Sequence, residues 1–357
     1  MRQRLFFILL FAAAIALVPL AARGELPALS LPALPESSQD LGYIGDPSDP
    51  TQEPEVRQTL EPVPADEQYA IDTFRILNTA TGVVEEVSVR DYVRGAVAAE
   101  LPASFHSEAM KAQAVASHTY ALYNALLHRE TPDPELKGAD FAADPDHLKG
   151  YAREEDIKET YGSLAEEYWS KITDAADSVM NYILLYDDEP IMAVYHSCSV
   201  GTTEAAENVW QASVPYLLPV ESSGDTLSPA AEDSVTFTSG ELRQLLTSAI
   251  DGLELGANPA LWLSPVSYSD SGYILEIKVG NQTVSGREVR SALGLRSSCF
   301  EVSYDSSSDQ FTIDTWGYGH GVGLSQYGAD YMARQGSSFE EILTHYYTGA
   351  ELAIVES

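Results

Sequence analysis

Basic residues are scarce in this sequence of 357 residues. Lysine and arginine together number 20 against 54 aspartates and glutamates, which leaves a formal charge of −34 at pH 7. Nucleic-acid binding depends on clusters of Lys and Arg, so this balance excludes a nucleic-acid partner. We interpret the acidity as a solvated surface. Apolar residues make up 45% of the chain, enough for a full hydrophobic core.

Cysteine is also rare, and several familiar catalytic motifs are missing. Cys198 and Cys299 are about a hundred residues apart and neither belongs to a CxxC pair, which excludes a zinc finger or a thioredoxin-type motif. One disulfide and two free thiols agree equally well with this spacing. The chain has no HExxH zinc motif and no GxSxG nucleophile elbow.

Long apolar runs are confined to the N-terminus. An uncharged stretch from Leu5 to Ala22 follows Arg2 and Arg4, a pattern typical of a signal peptide or a membrane anchor. We predict an anchor or a cleaved signal peptide over residues 1–23, and we favour a single-pass anchor in the cell membrane. In either case the rest of the chain lies outside the cytoplasm.

The remaining sequence divides into a linker and a folded region. Residues 24–67 are rich in proline, serine and acids without hydrophobic periodicity, which predicts a disordered, charged linker. Residues 68–352 mix hairpin and helix patterns without regular βαβ alternation, which predicts an α+β fold. We expect a catalytic region with two lobes, built from helices and antiparallel strands around a substrate cleft.

A hairpin followed by two helices is predicted at the start of the folded region. Two alternating apolar runs around NTATG predict a β-hairpin that turns at Gly82. Asp91 is the predicted N-cap of a helix over residues 92–100. Ser107 is the predicted N-cap of a second helix over residues 108–128.

Glu100 is a carboxylate in an apolar context. It ends the stretch AVAAE and is followed directly by Leu101 and Pro102. Burial among apolar groups disfavours the charged form of a carboxyl group and raises its pKa. A raised pKa is what a general acid needs near neutral pH. Glu100 is therefore either a catalytic acid or a solvated carboxylate at a helix end.

Alternating glycines mark the segment WGYGHGVGLSQYGA, residues 316–329. They bracket His320 with the spacing GxGxGxG, which differs from the dinucleotide fingerprint GxGxxG. Such glycines allow a close backbone approach or a positive φ. With Gln326 and Tyr327 nearby, the segment indicates either a sugar-binding loop or a loop that is only tightly packed.

A third polar cluster ends a predicted strand in VYHSCSVGTTE. His196 with Ser197 suggests a hydrolase, and His196 with Cys198 suggests a metal pair, but two residues do not make a metal site. A wall of hydrogen-bonding groups for a substrate, ending at Glu204, is the milder interpretation.

Taken in order along the chain, these segments resemble the stage II sporulation protein D family of peptidoglycan lytic transglycosylases. The resemblance covers roughly residues 70–352 and is carried by DYVRGAVAAELPASFHSEAMKAQAVASHTYAL, AVYHSCSVGTTEAAENVW, PYLLPVES, VSGREVRSALGLRSSCF and GYGHGVGLSQYGADYMARQGSSFEEILTHYYTG. It implies cleavage of the MurNAc–GlcNAc β-1,4 bond without water, which leaves 1,6-anhydro-MurNAc ends and uses no cofactor.

The resemblance also implies roles for single residues. Glu100 matches the catalytic acid of the family's AxExP segment. Lys111, in the family's KAQA segment, is a candidate for binding the lactyl carboxylate of MurNAc. His118 replaces the arginine of the family's ARTY segment, so a substrate contact made there becomes weaker or pH-dependent. Further candidates for substrate binding or site shaping are His196, Ser197, Glu204, His320 and Gln326.

Partners and alternatives follow from the same resemblance. The implied partners are glycan strands stripped of stem peptides, a cell-wall amidase that strips them and a membrane partner of the engulfment complex. Some relatives hold zinc with Cys and His, but the corresponding loop here has only His128 and His147, so we predict no metal. A non-enzymatic enhancer of an amidase is the alternative function. A metal-dependent wall hydrolase using His196 and Cys198 is the third hypothesis.

Overall fold

The structure is a computed structural model that describes residues 62–355. The predicted apolar N-terminus and most of the predicted linker lie outside the described residues. Within residues 62–355, no helix combines the length and the apolar character needed to cross a membrane. The chain enters the fold at strand β1 (Val63–Pro64), which pairs with the last strand, β15 (Glu351–Ile354).

Helices and strands are mixed irregularly along the chain, and the predicted α+β fold is confirmed. The α-helices are α1 (Val89–Glu100), α2 (Ser107–Glu130), α3 (Glu154–Tyr161), α4 (Ala165–Ser178), α5 (Ala206–Trp210), α6 (Ser239–Ala249), α7 (Gly286–Leu293), α8 (Gln326–Arg334) and α9 (Phe339–Tyr346). The strands between β1 and β15 are β2 (Thr73–Asn78), β3 (Val84–Ser88), β4 (Phe141–Ala143), β5 (Tyr182–Tyr186), β6 (Glu189–Pro190), β7 (Tyr195–His196), β8 (Glu232–Thr238), β9 (Leu263–Tyr268), β10 (Ile274–Val279), β11 (Gln282–Ser285), β12 (Cys299–Asp305), β13 (Gln310–Trp316) and β14 (Leu324–Ser325).

Most strand pairs are antiparallel. The sheets have the orders β1-β15-β5-β6, β3-β2-β4, β11-β10-β9, β12-β13-β8 and β14-β7. Parallel pairing joins β1 to β15, β2 to β4 and β7 to β14. The pairing of β7 with β14 brings the strand-end cluster and the glycine segment, which are distant in the sequence, to the same place.

The predicted hairpin and helix pair are present, but both predicted helix caps are wrong. Strands β2 and β3 form the hairpin. Ser88 caps α1, because its hydroxyl accepts from the backbone N–H of Asp91 at 3.0 Å. His106 rather than Ser107 caps α2, through its imidazole nitrogen. Each helix therefore begins earlier than predicted, since neighbouring polar residues compete for the same role.

Helix α2 lies at the centre of the helical part of the fold. It packs against α1, α4, α8 and α9, and its alanines at 112, 114 and 116 are buried. These small side chains allow the neighbouring helices to approach closely. Residues on different sides of α2 consequently face different neighbours, which decides which of them can reach Glu100.

Residues 232–316 build a separate hydrophobic core. Strands β8 to β13 and helices α6 and α7 contribute to it, with Leu242, Ile277 and Phe311 among its buried side chains. Another buried cluster joins α2 to β5 and β15. The described residues thus contain separate hydrophobic clusters within one compact unit, and the two predicted lobes stay a prediction.

Candidate active site

Glu100 is the last residue of α1, at the point where the chain turns towards α2. The ring of Pro102 disfavours a helical conformation of the residue before it, and Leu101 is accordingly extended, with φ −115° and ψ 136°. The helix therefore ends at Glu100. This places one carboxyl group at the junction of two packed helices.

A chain of buried amides holds the Glu100 carboxyl group. Gln326, the first residue of α8, donates from Nε2 to Glu100 Oε2 at 3.1 Å. The same nitrogen lies 3.4 Å from Oε1 of Gln113, whose own amide donates to Ser117 at 3.0 Å. Gln326, Gln113 and Ser117 are all buried. One oxygen of Glu100 is thus fixed, while the other has no hydrogen bond within the described chain.

The surroundings of Glu100 raise the pKa of its carboxyl group. Burial is the main cause, and the hydrogen bond from Gln326 opposes it by stabilising the charged form. Within residues 62–355, no second carboxylate shifts this pKa. The side chain is still partly exposed, so a ligand can reach it. A carboxyl group with a raised pKa keeps its proton to a higher pH than an ordinary glutamate, which suits a general acid.

Two tyrosines border the carboxyl group. Burial raises the pKa of Tyr92 and Tyr195, and the charge of Glu100 raises both further. Tyr195 also hydrogen-bonds Ser117. Both phenols therefore stay protonated, and their rings contribute to the burial of the Glu100 carboxyl group.

Sequence patterns did not point to Gln113, Ser117 or Tyr195. A signal existed for the first two, because polar residues four positions apart on an apolar helix face predict a buried, hydrogen-bonded pair. Tyr195 gives no comparable signal, since tyrosine is common in strands.

The glycine segment packs tightly against strand β7. All four alternating glycines have positive φ, between 73° and 119°. A Cβ atom at Gly323 would lie 2.2 Å from the carbonyl oxygen of Val194, and one at Gly321 would lie 2.5 Å from the hydroxyl oxygen of Tyr273. Only glycine permits these approaches. The segment can then pair β14 with β7, which carries Gln326 to Glu100.

His196 and His320 lie against each other. Their ring centroids are 5.7 Å apart, and the ring of Trp210 is 5.2 Å from that of His320. Nδ1 of His196 donates to the carbonyl oxygen of Val322 at 3.1 Å, while Nδ1 of His320 accepts from the N–H of the same residue at 3.1 Å. Burial lowers the pKa of His196 to about 4. Burial and the neighbouring His196 hold the pKa of His320 well below its usual value. Both rings are therefore neutral at neutral pH.

Glu204 and Ser197 connect parts of the site. The Glu204 carboxylate is buried and accepts from the backbone N–H of the next residue at 2.7 Å, from Asn208 Nδ2 at 2.8 Å and from the Ser269 hydroxyl. The carbonyl oxygen of Ser197 accepts from the N–H of Tyr327 at 3.0 Å. These contacts shape the site without placing either residue at Glu100.

Lys111 lies on another side of α2. It precedes Gln113 by two residues, so the two side chains point away from each other around the helix. Its ammonium group pairs with Glu108 at 2.6 Å and lies 5.9 Å from the ring centroid of Phe339. It lines an open groove of about 600 Å³ along α4. The structure does not bring Lys111 to Glu100.

His118 is buried on α2 and faces the turn before β5. Burial lowers the pKa of its imidazole to about 4, although hydrogen bonds with the backbone of Tyr182 and Met180 oppose this shift. Its Nδ1 is buried without a hydrogen-bond partner in the part of the chain that the structure describes. The ring contacts backbone rather than Glu100, so a substrate contact there stays a prediction.

Metal-ligating side chains do not converge anywhere between residues 62 and 355 in groups of three or more. His128 donates from Nδ1 to the backbone carbonyl oxygen of Asp140 at 2.5 Å, and Nδ1 of His147 hydrogen-bonds the carboxylate of Asp144 at 2.8 Å. Cys198 and Cys299 are free thiols, and burial raises the pKa of each to about 11. A thiol with a raised pKa is a poor thiolate ligand at neutral pH.

Known proteins are similar to this chain in sequence. The family model described as SpoIID, Stage II sporulation protein, matches residues 77–186, which include Glu100. The chain is 35% identical over 279 residues to Stage II sporulation protein D of Bacillus subtilis (strain 168), which covers 78% of each chain. It is 34% identical over 305 residues to the protein of the same name from Bacillus amyloliquefaciens, covering 85% of this chain and 84% of that one.

A more distant relative has a different name. The chain is 26% identical over 319 residues to a Bacillus subtilis (strain 168) protein called amidase enhancer. The similarity covers 73% of this chain and 40% of the enhancer.

Proposed function

Because the chain belongs to the stage II sporulation protein D family, we propose that it is a lytic transglycosylase that cleaves the MurNAc–GlcNAc β-1,4 bond of peptidoglycan during sporulation. Family membership supports the coarser role in sporulation, and the likeness to an amidase enhancer supports action at the cell wall. One observation carries the specific chemistry: Glu100 has a raised pKa, one tethered oxygen and one free oxygen.

The first step uses Glu100 as an acid. Its protonated carboxyl group donates a proton to the glycosidic oxygen, and the bond from this oxygen to C1 of MurNAc breaks with both electrons going to the oxygen. Burial favours the protonated form of Glu100 before the reaction.

The second step uses the same group as a base. The Glu100 carboxylate accepts the proton of the MurNAc C6 hydroxyl, whose oxygen bonds to C1 and closes the 1,6-anhydro ring. The proton balance is restored, and no water is consumed. The amide of Gln326 supports this step, because its hydrogen bond stabilises the carboxylate that exists between the two proton transfers.

A single carboxyl group suits this reaction better than hydrolysis. Most glycosidases need two carboxyl groups, one as acid and one as base or nucleophile. In the described chain, no second carboxylate shifts the pKa of Glu100, whereas a transglycosylase can use one group twice.

The second candidate is a glycan-binding enhancer of an amidase, which the amidase enhancer among the relatives favours. The two functions differ in what the chain does alone. A transglycosylase releases anhydro-MurNAc ends from denuded strands, whereas an enhancer leaves the strands intact and accelerates an added amidase.

The test is Glu100→Gln in the full chain, with products followed by mass spectrometry. Glutamine keeps the shape of the side chain but has no proton to exchange, so we expect the rate of anhydro-end formation to fall by roughly 10²–10⁴-fold. Glu86→Gln is the control, because Glu86 is an exposed glutamate on β3, and it should leave the rate unchanged. Intact strands with the parent chain would contradict the proposal and favour the enhancer.

We further propose that the apolar N-terminus anchors the chain in the cell membrane, with residues 62–355 outside the cytoplasm, and that it works with a wall amidase and a membrane partner. The apolar run from Leu5 to Ala22 supports the anchor. Protease treatment of intact cells is the check, because the folded region should be cleaved without lysis.

A further inference from the structure

Helix α7 carries two arginines that lack an acidic partner. Arg287 and Arg290 are both half-buried, and no carboxylate within residues 62–355 pairs with either. Arg290 donates from Nε to the carbonyl oxygen of Leu295 at 3.3 Å, whereas nearby Arg296 pairs with Asp233 at 3.2 Å. The chain has 54 acidic and 20 basic residues. Acids are therefore plentiful, and their number does not explain why Arg287 and Arg290 form no ion pair within residues 62–355.

The two arginines lie beside the histidine pair. The segment after α7 meets the glycine segment where the N–H of Gly319 donates to the carbonyl oxygen of Arg296 at 3.0 Å. The charges of both α7 arginines contribute to the lowered pKa of His320, and that of Arg290 also acts on His196. Arg287, Arg290, His196 and His320 together are called the arginine–histidine cluster below.

One polar atom of this cluster and one on Tyr273, which packs against Gly321 of the glycine segment, are left without partners. Nε2 of His196 and the hydroxyl oxygen of Tyr273 are buried and make no hydrogen bond within the described chain. Leaving buried polar atoms unpaired costs free energy, and burying an unpaired cation costs more. Such groups are completed by water, by an ion or by a ligand.

The nearby acids do not fill this role. The charge of Glu288 acts on Arg287, but the Glu288 carboxylate accepts from the backbone N–H and the hydroxyl of Ser285, each at 2.8 Å, and in the described part of the chain it forms no ion pair with the arginine. The Glu204 carboxylate already accepts three hydrogen bonds. Asp225 accepts from the N–H of Ser199 at 2.7 Å and from the Ser325 hydroxyl at 2.5 Å. The cluster therefore has spare hydrogen-bond donors and positive charge, and it lacks an anion.

We propose that the arginine–histidine cluster binds a carboxylate of the glycan strand, which rests on the proposed function. Arginine binds carboxylates through paired N–H groups. Nδ1 of His196 donates to Val322, which leaves Nε2 as an acceptor for a sugar hydroxyl, while Tyr273 can donate. Tyr195 and His196 are successive residues of β7, so their side chains point to opposite faces of the strand, Tyr195 towards Glu100 and His196 towards the cluster.

The bound carboxylate can come from the lactyl group of MurNAc or from a stem peptide, and the lactyl group is the better candidate. It is free only after the stem peptide has been removed, when it is the remaining carboxylate on the strand. The cluster would then take the role that the sequence assigned to Lys111, which lies elsewhere.

The test measures binding by calorimetry in the full chain carrying Glu100→Gln, which prevents turnover. The probes are a GlcNAc–MurNAc tetrasaccharide with free lactyl groups, the same sugar with lactyl methylamides, and the same sugar with stem peptides. We expect the free form to bind roughly ten- to a hundred-fold more tightly than the methylamide. Arg287→Gln and Arg290→Gln should each reduce this preference about ten-fold.

Arg90→Gln is the matched control, because Arg90 is an exposed arginine outside the cluster. It pairs with Asp177 of α4 at 3.8 Å. The substitution removes the same charge and should keep the preference. Arg287 makes no hydrogen bond within residues 62–355, so Arg287→Gln should retain the unfolding midpoint of its parent. Arg290→Gln loses a hydrogen bond to Leu295 and can lower stability. A loss of preference in the stable Arg287 variant therefore cannot be attributed to misfolding.

The outcomes separate the possibilities. An unchanged preference in both α7 variants, or an equal loss in Arg90→Gln, overturns the proposal. A loss confined to the stem-bearing probe assigns the site to a stem carboxylate instead of the lactyl group. Anhydro-end formation by the chain with Glu100 intact is measured separately, so failure at the cluster leaves the proposed function standing.

Discussion

Glu100 and Glu204 are both shielded glutamates, but they differ in how their oxygens are used. Glu204 is 1% exposed, and its carboxylate accepts from a backbone N–H, from Asn208 and from Ser269. Glu100 is more exposed and accepts only from Gln326 within the described chain. Three donors occupy both oxygens of Glu204, whereas the single donor at Glu100 leaves one oxygen for a substrate. Burial alone therefore does not identify a catalytic acid, and the number of donors separates the two roles.

After the loss expected for Glu100→Gln, shortening the Glu100 side chain should have the largest effect on the rate. Glu100→Asp keeps an acid but withdraws it by about one bond length, and a misplacement of roughly 1 Å costs about 10²-fold in rate. The initial rate of anhydro-end formation measures this loss. Unfolding in urea should change little, and a large drop in stability would mean that Glu100 is structural like Glu204.

Glu204→Gln should instead lower stability. The amide replaces one accepting oxygen with a donor, which leaves a donor on Asn208, Ser269 or the backbone unpaired. We expect a loss of about 1–3 kcal/mol in the free energy of unfolding, measured by urea denaturation. If the variant is as stable as its parent and inactive, Glu204 belongs to the chemistry.

The pH dependence of activity should follow Glu100. Its pKa is raised, so the acid form persists above the usual pH range of glutamate and the rate falls as the pH rises through the folded-state pKa. Gln326→Leu removes a hydrogen bond that lowers this pKa, so the alkaline limb should move to higher pH. The pH profile of kcat/KM tests this, and a shift to lower pH would exclude Glu100 as the acid.

The raised pKa of Glu100 should also make the free energy of unfolding depend on pH. The folded chain binds the Glu100 proton more tightly than the unfolded chain, so stability falls as the pH rises between the unfolded and folded pKa values. Glu100→Gln removes this term and should flatten that part of the curve of unfolding free energy against pH. An unaltered curve would mean that the pKa of Glu100 is not raised.

Lys111→Met should have the smallest effect. The ion pair with Glu108 is partly exposed, and such pairs contribute at most about 1 kcal/mol. Because Lys111 lies on another side of α2 from Gln113, we expect little change in the rate of anhydro-end formation. A drop of roughly ten-fold or more, about 1.4 kcal/mol, would return Lys111 to the substrate site.

Local sequence features were sufficient for part of this description. The hairpin, the two helices that follow it and the α+β class depend on apolar periodicity and turn residues, which act over a few positions. The end of α1 at Glu100 depends on Pro102, its near neighbour. The contiguous apolar residues around Glu100 made it a candidate, and the resemblance to the family then implied its catalytic role.

Only the tertiary structure brought Gln326 to Glu100, across 226 residues of chain, and left Arg287 and Arg290 without acids beside the two histidines. It also turned Lys111 away from the site that Gln113 faces. The physical reason is that hydrogen bonds, burial and charge depend on distances in space, and helix rotation and strand pairing set those distances only when the whole domain packs.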